Sequence, residues 1–600
     1  MGVVVARNAD FTDLLLRRSE ELADREAYRF LTGEEAGAGP ADGGPVPGVA
    51  VTYGELDRAA KRIASRLQEG NPLGQRVVLC HGDSDGFLPA FVGCLYAGAT
   101  PVPAPAPTGT AQSGERLARI LKDTSAGYVL TDAAHGPLVS QLLATVGQSH
   151  IPCLATDRPG LGDPDAWTRP PARPDEPAFL QYTSGSVSDP KGVVVSHANL
   201  LANQRAIRSA LGTSERSRIG GWLPFHHDMG LIGQLLHPLF LGASAVLLPP
   251  LAFAQRPVRW LQMIDRYGVT VSGAPDFAYR LCVRRVTGEQ AAELDLTRWE
   301  TAVSGGESVR AQTLDDFAAH FAPSGLRPRA LRPGYGMAEA TLMAAVGGMR
   351  AARTVDAAAL ARNKVAPAVE GRPSRTFVPV GRVVDGLQTL IVDPDTLRPL
   401  ADGRIGEIWL RGSSVARGYW NRPRESAELF QAVPAGTGPV EPGAAGGYLR
   451  TGDLGFLDDG ELFVAGRLKE VLIVAGRNLH PQDIEQQVQK LSVLFGSGAA
   501  FAVGADQDQV VVVQEVRTGG RDREEELPAL VGAVQRCVAE EFGVAVEHVL
   551  LVRPGTVRRT TSGKLRRTAM RQLFLAGRIK PLHAGAPAAP LPAGAPAYGG

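Results

Sequence analysis

The chain has 600 residues, more than a single hydrophobic core usually supports, so its length predicts two or more domains. Apolar residues make up 44% of the sequence and charged residues 21%, which is typical of a soluble globular protein. The formal net charge of +1 argues against a nucleic-acid-binding protein, because such proteins need a strongly basic surface.

The cysteines and the apolar segments bear on the location of the protein. The five cysteines are scattered, odd in number and without CxxC spacing, which argues against a disulfide framework or a zinc site and for a reducing compartment, the cytoplasm. Residues 1–10 lack the charged and apolar regions of a signal peptide. The most apolar segment, 229–254, contains three prolines, so we interpret it as a buried helix and strand and expect no stable membrane insertion.

Hydrophobic periodicity predicts alternating helices and strands in the N-terminal part of the chain. Such alternation predicts parallel sheets that are covered on both faces. The predicted elements are a helix over 11–32, a loop over 34–47, a helix that opens at 51–56 and runs to about 68, a strand over 76–80, a helix over 86–98, an extended segment over 99–107, a helix over 115–124 and a strand over 127–131.

The C-terminal third predicts smaller units. Three segments predict antiparallel strands and turns of a β subdomain: 389–392, 402–410 and 415–421. The following pattern predicts helix, strand, strand, helix and strand, at 481–491, 497–503, 510–516, 525–542 and 547–552. We therefore predict an α/β protein: a large N-terminal domain over 1–468, with two α/β lobes and the β subdomain, and a small α+β C-terminal domain over 469–580. Residues 581–600, which are rich in Ala, Pro and Gly, predict a linker or a disordered tail.

One loop has the chemistry of a phosphate-binding site. Its hydroxyls, its close-approaching backbone and its cation suit a polyphosphate, although the spacing of a Walker loop is absent. The alternative is a polar hairpin turn, because Ser, Gly, Asp and Pro are ordinary turn residues. The loop joins predicted strands over 179–182 and 193–195 and contains Thr183, Ser184, Gly185, Ser186 and Lys191.

Two further segments combine glycines with a functional side chain. Residues 301–307 predict a strand that ends in a glycine pair and a glutamate, which is a common turn. In residues 334–342, Tyr335 can stack on a purine, Gly336 allows close backbone approach and Glu339 can offer an oxygen to Mg²⁺. The alternative for this second segment is a helix N-terminus with a glutamate in its first turn.

Two more features have both a structural and a functional interpretation. His226 and His227 precede Asp228, but no third ligand follows at a regular interval, so a metal site is disfavoured against a packed aromatic corner. The chain has eight lysines against 55 arginines, and Lys564 lies in a basic loop over 558–566 that is otherwise typical of solvated surface. Because an ammonium differs from a guanidinium, a lysine kept in this background indicates that a point charge is needed.

Taken in order, these segments resemble the motifs of the adenylate-forming enzymes, which include acyl-CoA synthetases, luciferases and the adenylation domains of peptide synthetases. The phosphate loop resembles Y-T-S-G-S/T-T-G-x-P-K-G, residues 334–342 resemble Y-G-x-T/A-E, and residues 558–566 resemble the C-terminal P-K-T-x-S-G-K-x-x-R loop. The matching motifs run from about residue 50 to about residue 570.

Several details resemble the fatty acyl-AMP ligase branch of this superfamily. Residues 221–233 are similar to L-P-x-Y-H-D-M-G-L-I-G, with His226 in place of the tyrosine. Residues 475–485 are similar to R-G-R-N-L-Y-P-Q-D-I-E, with His480 in place of the tyrosine. Residues 346–377 lie where these ligases resemble one another in carrying an additional segment that acyl-CoA synthetases lack.

The resemblance implies a nucleotide site. It implies that the loop residues Thr183, Ser184, Gly185, Ser186 and Lys191 bind the ATP phosphates. It also implies that Asp453 accepts hydrogen bonds from the ribose hydroxyls, although a hairpin with a satisfied aspartate is the structural alternative. The other residues that it assigns to nucleotide binding are Gly305, Gly306, Glu307, Tyr335, Gly336, Met337, Ala338 and Arg467.

The resemblance also implies the catalytic and acyl-binding residues. Glu339 would bind Mg²⁺, and His227 would line the site of the acyl carboxylate. Lys564 would be the adenylation lysine, whose charge stabilises the transition state of the adenylation step. Ile232 and Gly233 would line the acyl channel.

The implied reaction joins a fatty acid and ATP into an acyl-adenylate and pyrophosphate. A mobile C-terminal domain would then rotate about Lys469 and present the adenylate to the phosphopantetheine thiol of an acyl carrier protein in lipid, polyketide or nonribosomal peptide biosynthesis. The additional segment in these ligases hampers the rotation that thioester formation with CoA requires. We expect ATP and Mg²⁺ as cofactors and a monomer or weak dimer.

Two alternatives stay open at this point. An acyl-CoA synthetase would differ in using CoA as the thiol acceptor. A non-catalytic relative that binds acyl groups or nucleotides would be a different class of protein, which the presence of Glu339, Asp453 and Lys564 disfavours.

Overall fold

The computed structural model describes most of the chain, apart from several internal segments and both ends. No helix among the described residues is long and apolar enough to cross a membrane. All five cysteines are free. The described residues are 10–38, 47–82, 85–108, 111–183, 190–348, 351–436, 447–474, 477–504, 509–517, 525–560 and 564–585.

The α-helices are numbered in chain order. They are α1 Phe11–Glu21, α2 Glu35–Ala38, α3 Tyr53–Gln68, α4 Phe87–Tyr96, α5 Ala111–Thr124, α6 Gly136–Thr145, α7 His197–Leu211, α8 His237–Leu241, α9 Pro250–Gln255, α10 Val258–Arg266, α11 Asp276–Arg285, α12 Gly288–Ala292, α13 Ala311–His320, α14 Ala357–Leu360, α15 Pro423–Phe430, α16 Pro481–Lys490, α17 Leu527–Phe542 and α18 Arg567–Leu575. A π-helix spans Met229–Leu236, and 3₁₀ turns span Pro164–Ala166, Pro328–Ala330, Ala338–Ala340 and Leu468–Glu470.

The strands are numbered in the same way. They are β1 Glu26–Phe30, β2 Val49–Thr52, β3 Arg76–Cys80, β4 Thr100–Pro103, β5 Tyr128–Thr131, β6 Cys153–Ala155, β7 Pro177–Tyr182, β8 Gly192–Ser196, β9 Arg218–Gly221, β10 Ser244–Leu247, β11 Val271–Ala274, β12 Thr301–Ser304, β13 Leu331–Gly336, β14 Met343–Val346, β15 Arg353–Asp356, β16 Ser374–Phe377, β17 Arg382–Val383, β18 Leu387–Val392, β19 Gly406–Gly412, β20 Leu449–Asp458, β21 Glu461–Arg467, β22 Leu472–Val474, β23 Arg477–Leu479, β24 Phe495–Val503, β25 Gln509–Val516, β26 Val546–Val552 and β27 His583–Ala584.

Two sheets with parallel strands form the α/β part of the chain, as predicted. The larger sheet has the order β17-β14-β13-β12-β11-β9-β10-β1-β2, and its central strands from β13 to β1 are parallel. The smaller sheet, β4-β3-β5-β6, is wholly parallel. Because the carboxyl ends of β9, β11, β12 and β13 meet at one edge, the loops that follow these strands lie together, where parallel sheets commonly bind ligands.

Aromatic side chains join these layers through the core. Phe87 of α4 contacts Phe225 with ring centroids 5.6 Å apart, and Phe91 contacts Phe179 of β7 at 5.9 Å. All four rings are buried. Burial of one large apolar side chain contributes roughly 1.5–3 kcal/mol, so this chain of contacts holds the phosphate-loop strand firmly against the N-terminal helices.

The predicted helix over 11–32 is wrong in its second half. Helix α1 ends at Glu21, and the amide of Arg25 donates to the carbonyl of Leu22 in a turn. Strand β1 then pairs with β10 in parallel and with β2 in antiparallel orientation. The pairing with β10, more than 200 residues later in the sequence, provides the backbone partners that local periodicity does not reveal.

The predictions around the phosphate loop are confirmed. Strands β7 and β8 form an antiparallel hairpin, and the Ser196 hydroxyl caps α7 by accepting from the amide of Asn199. A capping side chain of this kind stabilises a helix by about 1 kcal/mol. The predicted strands at 389–392 and 402–410 correspond to β18 and β19, which form an antiparallel sheet with β20 and β21.

Residues 415–421 are not part of that sheet, contrary to the prediction. The segment runs along β8 instead: Val194 donates its amide to the carbonyl of Gly418 at 2.9 Å, and Trp420 donates to Gly192 at 2.7 Å. Its first part also bonds to the loop after β13, because the amide of Ala416 donates to the carbonyl of Glu339 at 2.9 Å. The backbone partners of this segment therefore come from the phosphate-loop hairpin.

The five predicted elements of the C-terminal region correspond to α16, β24, β25, α17 and β26, whereas β22, β23, α18 and β27 were not predicted. Strands β24, β25, β26 and β27 form one sheet, with α16 and α17 packed on it. Strand β27 pairs with β26, and Leu582 packs against the core of this sheet. The ordered sheet thus continues beyond the boundary at 580 that composition indicated, and the remainder of the predicted tail, 586–600, lies outside the described residues.

The additional segment over 346–377 contains a short hairpin and a short helix. Strands β15 and β16 pair in antiparallel orientation around α14. Val355, Leu360 and Phe377 of this segment are buried together with Phe456 and Phe463 of β20 and β21. The segment is therefore packed against the β subdomain and reaches the start of the C-terminal domain.

Candidate active site

A cavity of about 1920 Å³ opens where the loops after the parallel strands face the C-terminal domain. Its wall includes the loops that follow β9, β11, β12 and β13, the ends of β7 and β21, the middle of β20, and the loop before α18. The predicted site residues on this wall are Thr183, His227, Gly306, Glu307, Tyr335, Gly336, Met337, Ala338, Glu339, Asp453, Arg467 and Lys564.

Asp453 is the centre of a polar cluster on one side of the cavity. Its carboxylate accepts from the hydroxyl of Tyr335 at 2.8 Å and pairs with the guanidinium of Arg467 at 2.9 Å. Its own amide donates to the hydroxyl of Thr451 at 3.1 Å, which fixes the backbone. Burial and the adjacent Asp453 charge raise the pKa of Tyr335 well above its usual value, so the hydroxyl stays protonated and donates.

Glu339 and Lys191 both contact Tyr419, a residue that the sequence did not indicate as part of the site. The hydroxyl of Tyr419 donates to Oε1 of Glu339 at 2.8 Å. The ammonium of Lys191 lies 5.1 Å from the centroid of the Tyr419 ring and pairs with Glu425. Lys191 itself is not on the described cavity wall, and the neighbouring loop residues Ser184, Gly185 and Ser186 lie outside the described residues.

The glycine pair after β12 forms a tight turn at the cavity edge. Gly306 has φ of +79°, where a residue with a Cβ atom is strained. A Cβ atom on Gly305 would lie 3.1 Å from the carbonyl oxygen of Gly334, so this residue serves the contact between β12 and β13 and is not on the wall. Oε1 of Glu307 accepts from the amide of Phe277 at 2.5 Å, and burial raises the pKa of Glu307.

His227 is fixed by the turn that leads into the π-helix. Its amide donates to the carbonyl of Pro224 at 3.1 Å, and its carbonyl accepts from Leu231 at 2.7 Å. Burial, followed by the charges of Arg116 and Lys564, lowers the pKa of His227 to about 3, so its imidazole is neutral at neutral pH. No group of three or more His, Cys, Asp or Glu side chains placed to hold a metal ion occurs in the described parts of the chain.

Ile232 and Gly233 are not on the cavity wall. Ile232 is fully buried, and its carbonyl accepts from Nε2 of Gln204 at 3.2 Å. A Cβ atom on Gly233 would lie 3.6 Å from the side chain of Leu342, which is ordinary contact. In this conformation the wall near His227 is instead lined by Trp222, Met229 and Phe277.

Lys564 reaches the cavity from the C-terminal domain. The backbone around it forms a turn in which Thr560 donates its amide to the carbonyl of Lys564 at 2.7 Å, and Lys564 donates its amide to the hydroxyl of Thr560 at 3.0 Å. The side chain of Lys564 is exposed on the cavity wall and contributes to the lowered pKa of His227 across it. Residues 561–563 lie outside the described residues.

The additional segment makes polar contacts with residues on both sides of the turn that contains Lys469. Lys469 is exposed on the 3₁₀ turn that joins the two domains. The guanidinium of Arg375 in the additional segment pairs with Asp483 of α16 at 2.9 Å and donates to the carbonyl of Ala465 at 2.8 Å. Arg375 therefore connects the additional segment, β21 and the C-terminal domain.

Comparison with known proteins identifies the family. The family profile described as "AMP-binding enzyme" matches residues 17–420, and the profile "Disco-interacting protein 2-like, AMP domain" matches residues 469–584. The medium-chain-fatty-acid–[acyl-carrier-protein] ligase JamA of Moorena producens is 39% identical over 580 residues, which cover 94% of this chain and 95% of that protein. The chain belongs to the adenylate-forming AMP-binding enzymes, in their fatty acyl-AMP ligase branch.

Other members of this branch match with similar coverage. The long-chain-fatty-acid–AMP ligase FadD28 of Mycobacterium tuberculosis is 35% identical over 540 residues, which cover 87% of this chain and 91% of that ligase. A solved fatty acid AMP ligase from Legionella pneumophila superposes with a TM-score of 0.73 at 34% identity, covering 97% of this chain and 98% of that one. This chain therefore has the fold of the adenylate-forming family, in which a large domain is followed by a smaller one.

Proposed function

We propose that this chain activates a fatty acid with ATP, forms an acyl-adenylate, and transfers the acyl group to the phosphopantetheine thiol of an acyl carrier protein. The observation that carries this proposal is that Asp453, Glu339, His227 and Lys564, which come from four separate segments, line one cavity. The fatty acyl-AMP ligase membership supports the acid substrate, and relatives named fatty-acid–[acyl-carrier-protein] ligases support the carrier. The five free cysteines agree with a reaction in the cytoplasm.

The cavity supplies a distinct environment for each part of ATP. We assign the ribose hydroxyls to Asp453, which can exchange its bonds to Tyr335 and Arg467 for bonds to the diol. We assign the adenine to the backbone between Tyr335 and Ala338 and to the turn at Gly306, where the absence of a side chain gives a flat ligand close access. The phosphates are assigned to the loop between Thr183 and Lys191, whose hydroxyls and ammonium are suitable donors.

The adenylation step needs no side-chain nucleophile. A carboxylate oxygen of the fatty acid attacks the α-phosphorus, a P–O bond forms, and the bond from the α-phosphorus to the β-phosphate oxygen breaks as pyrophosphate leaves. Lys564 stabilises the negative charge that develops on the carboxylate and α-phosphate oxygens. Neutral His227 positions the acid by a hydrogen bond without adding a second charge beside Lys564.

Mg²⁺ fits the residues at Glu339. This carboxylate lies on the cavity wall, and one of its oxygens accepts a hydrogen bond from the hydroxyl of Tyr419. A single carboxylate together with substrate phosphates is a usual way for a protein to bind Mg²⁺. When bound, the ion neutralises charge on the triphosphate and on the leaving pyrophosphate.

The second step transfers the acyl group to a thiol. The thiol sulfur attacks the acyl carbonyl, a C–S bond forms, the bond to the phosphate oxygen breaks, and AMP leaves while the thiol proton passes to solvent. We propose that the C-terminal domain rotates about Lys469 between the steps, so that Lys564 leaves the cavity and the thiol enters. The contact of Arg375 with Asp483 restrains this rotation and therefore slows transfer to free CoA.

A direct assay tests the proposal. The purified chain is incubated with Mg-ATP, a labelled medium-chain fatty acid, and either CoA or a panel of phosphopantetheinylated carrier proteins. We expect acyl-AMP to accumulate with CoA and to be consumed with a matching carrier. Rapid acyl-CoA formation would instead identify an acyl-CoA synthetase, and absence of adenylate with all fatty acids would contradict the assigned substrate class.

A lysine variant separates catalysis from binding alone. We expect Lys564→Ala to lower the rate of acyl-AMP formation by about 100- to 1000-fold, because a charge aimed at the transition state is lost. Lys580→Ala, which removes an exposed lysine of the same domain away from the cavity, is the matched control and should leave the rate unchanged. Equal rates for wild type and Lys564→Ala would favour a non-catalytic role for this chain.

A further inference from the structure

We propose that Tyr419 is a positioning residue that fixes the orientation of the Glu339 carboxylate and the place of the Lys191 ammonium beside the phosphate side of the cavity. The inference rests on the proposed function, since it assigns a task to the residues that we place around the triphosphate. Tyr419 does not touch the cavity, and its effect is exerted through the two charged groups that it contacts. Its hydroxyl and its ring serve different partners, so the two contributions can be separated.

The hydroxyl determines the orientation of the carboxylate. It donates to Oε1 of Glu339 at 2.8 Å, a good distance for a hydrogen bond to a charged acceptor. With one oxygen held, the carboxylate cannot turn freely, and its other oxygen remains available to the ion.

The ring provides a surface for the ammonium of Lys191. The 5.1 Å between the nitrogen and the ring centroid is within the range of a cation–π interaction. Glu425 pairs with the same ammonium, so the lysine is held between a carboxylate and an aromatic face. This pair of contacts leaves Lys191 at the exit of the phosphate loop even before a nucleotide binds.

Tyr419 is itself fixed by the structure around it. Its amide donates to the hydroxyl of Ser426 at 2.8 Å, and its ring packs edge-on against Phe430 with centroids 5.2 Å apart. The neighbouring residues Gly418 and Trp420 bond to strand β8, which follows the phosphate loop directly. The segment around the tyrosine is therefore bonded to β8 by its backbone, and the Tyr419 hydroxyl is bonded to the 3₁₀ turn that follows β13.

Two substitutions distinguish the hydroxyl from the ring. Tyr419→Phe keeps the ring and the packing but removes the donor to Glu339, so the Mg²⁺ concentration needed for half-maximal ATP binding should rise about tenfold, as one lost charge-assisted hydrogen bond implies. At saturating Mg²⁺ its ATP affinity should match that of wild type. Tyr419→Leu should show the same Mg²⁺ shift and, in addition, ATP affinity about three- to tenfold weaker at saturating Mg²⁺, because the ring beneath Lys191 is lost.

Calorimetric titration of ATP over a series of Mg²⁺ concentrations measures both effects without turnover. Tyr448→Phe is the matched control, because Arg411 lies 4.6 Å from the Tyr448 ring centroid in a similar arrangement remote from the cavity. Wild-type Mg²⁺ dependence in Tyr419→Phe, or an equal change in Tyr448→Phe, would overturn the positioning role. Thermal unfolding of each variant identifies a general loss of structure, which would weaken ATP binding at every Mg²⁺ concentration and would also contradict the specific role.

The same titration distinguishes failure of this inference from failure of the proposed function. Wild-type protein that binds Mg-ATP but releases no pyrophosphate with any fatty acid would contradict the proposed reaction and leave the Tyr419 result valid. Wild-type protein that does not bind Mg-ATP would overturn both. The expected result is tight binding by wild type, a shifted Mg²⁺ dependence in Tyr419→Phe, and the additional loss of ATP affinity in Tyr419→Leu.

Discussion

The contact of the additional segment with the C-terminal domain gives a quantitative prediction about the acceptor thiol. Arg375 pairs with Asp483 at 2.9 Å, donates to the carbonyl of Ala465 at 2.8 Å, and lies 4.3 Å from the centroid of the Phe377 ring. Both charged side chains are mostly buried, at 16% and 17% exposure. We expect Arg375→Ala to weaken the closed arrangement, because the ion pair spans the two domains.

The size of the effect follows from the burial of the pair. Removing one partner of a fully buried ion pair costs about 3–5 kcal/mol, and partial exposure reduces this to roughly 2–3 kcal/mol. If this energy restrains domain rotation, its loss increases the population of the rotated state by about 30- to 150-fold. Transfer of the acyl group from preformed acyl-AMP to CoA should increase by up to that factor, while acyl-AMP formation stays within about twofold of wild type.

The assay follows thioester formation from isolated acyl-AMP with CoA and, separately, with the carrier protein. Arg353→Ala is the control, because it breaks the pair with Asp458 within the N-terminal domain and leaves the contact with α16 intact. A variant Arg375→Ala that is less stable to heat but transfers to CoA no faster than wild type would refute the argument. The contact would then stabilise the fold without limiting rotation.

Three further outcomes follow from the geometry of single residues. Asp453→Asn should raise the KM for ATP about 10- to 100-fold, measured by pyrophosphate release, because the ribose hydroxyls lose a charged acceptor; an unchanged KM would contradict the ribose assignment. Gly336→Ala should abolish ATP binding in a calorimetric titration, since a Cβ atom there would lie 1.8 Å from the carbonyl oxygen of Leu342 and the turn must move; normal binding would disprove the close packing. Burial lowers the pKa of His237 to about 3. Between pH 6.5 and 3 the unfolded chain therefore binds a proton at this residue that the folded chain does not bind. As the pH falls through that range, this residue reduces the free energy of unfolding by roughly 1.4 kcal/mol per pH unit. His237→Gln should remove about one proton from the pH dependence of denaturant unfolding, and an unchanged slope would show that His237 is not buried in its neutral form.

Elements with strong local signals could be predicted from the sequence. Strand β7, the polar loop and strand β8 follow an apolar–polar–apolar pattern, and Ser196, a good capping residue, directly precedes α7. The order of helices and strands in the C-terminal domain is equally clear, because each element has a regular apolar face. The prediction of a helix over 11–32 is wrong from Leu22 onward, because the pairing of β1 with β10 depends on residues more than 200 positions away.

The sequence could predict, for a physical reason, that the candidate site residues lie close together. The loops with Glu307, Glu339 and His227 each follow a strand of one parallel sheet, and such strands end at a common edge. By contrast, Ile232 and Gly233 were expected on the acyl channel from motif position alone. The chain from Met229 to Leu236 is a π-helix, which turns Ile232 into the core while His227 stays on the wall.

The role of Tyr419 could not be predicted from the spacing of the motifs. Its segment predicted a strand of the β subdomain, where a tyrosine would serve as an ordinary packing residue. Its actual neighbours are Glu339, 80 positions earlier, and Lys191, which lies in another motif again. A residue that only orients charged groups cannot be recognised from the sequence, because a tyrosine that merely packs in the core occurs in the same kind of sequence pattern. Its contribution becomes visible once the fold brings the carboxylate to its hydroxyl and the ammonium to its ring.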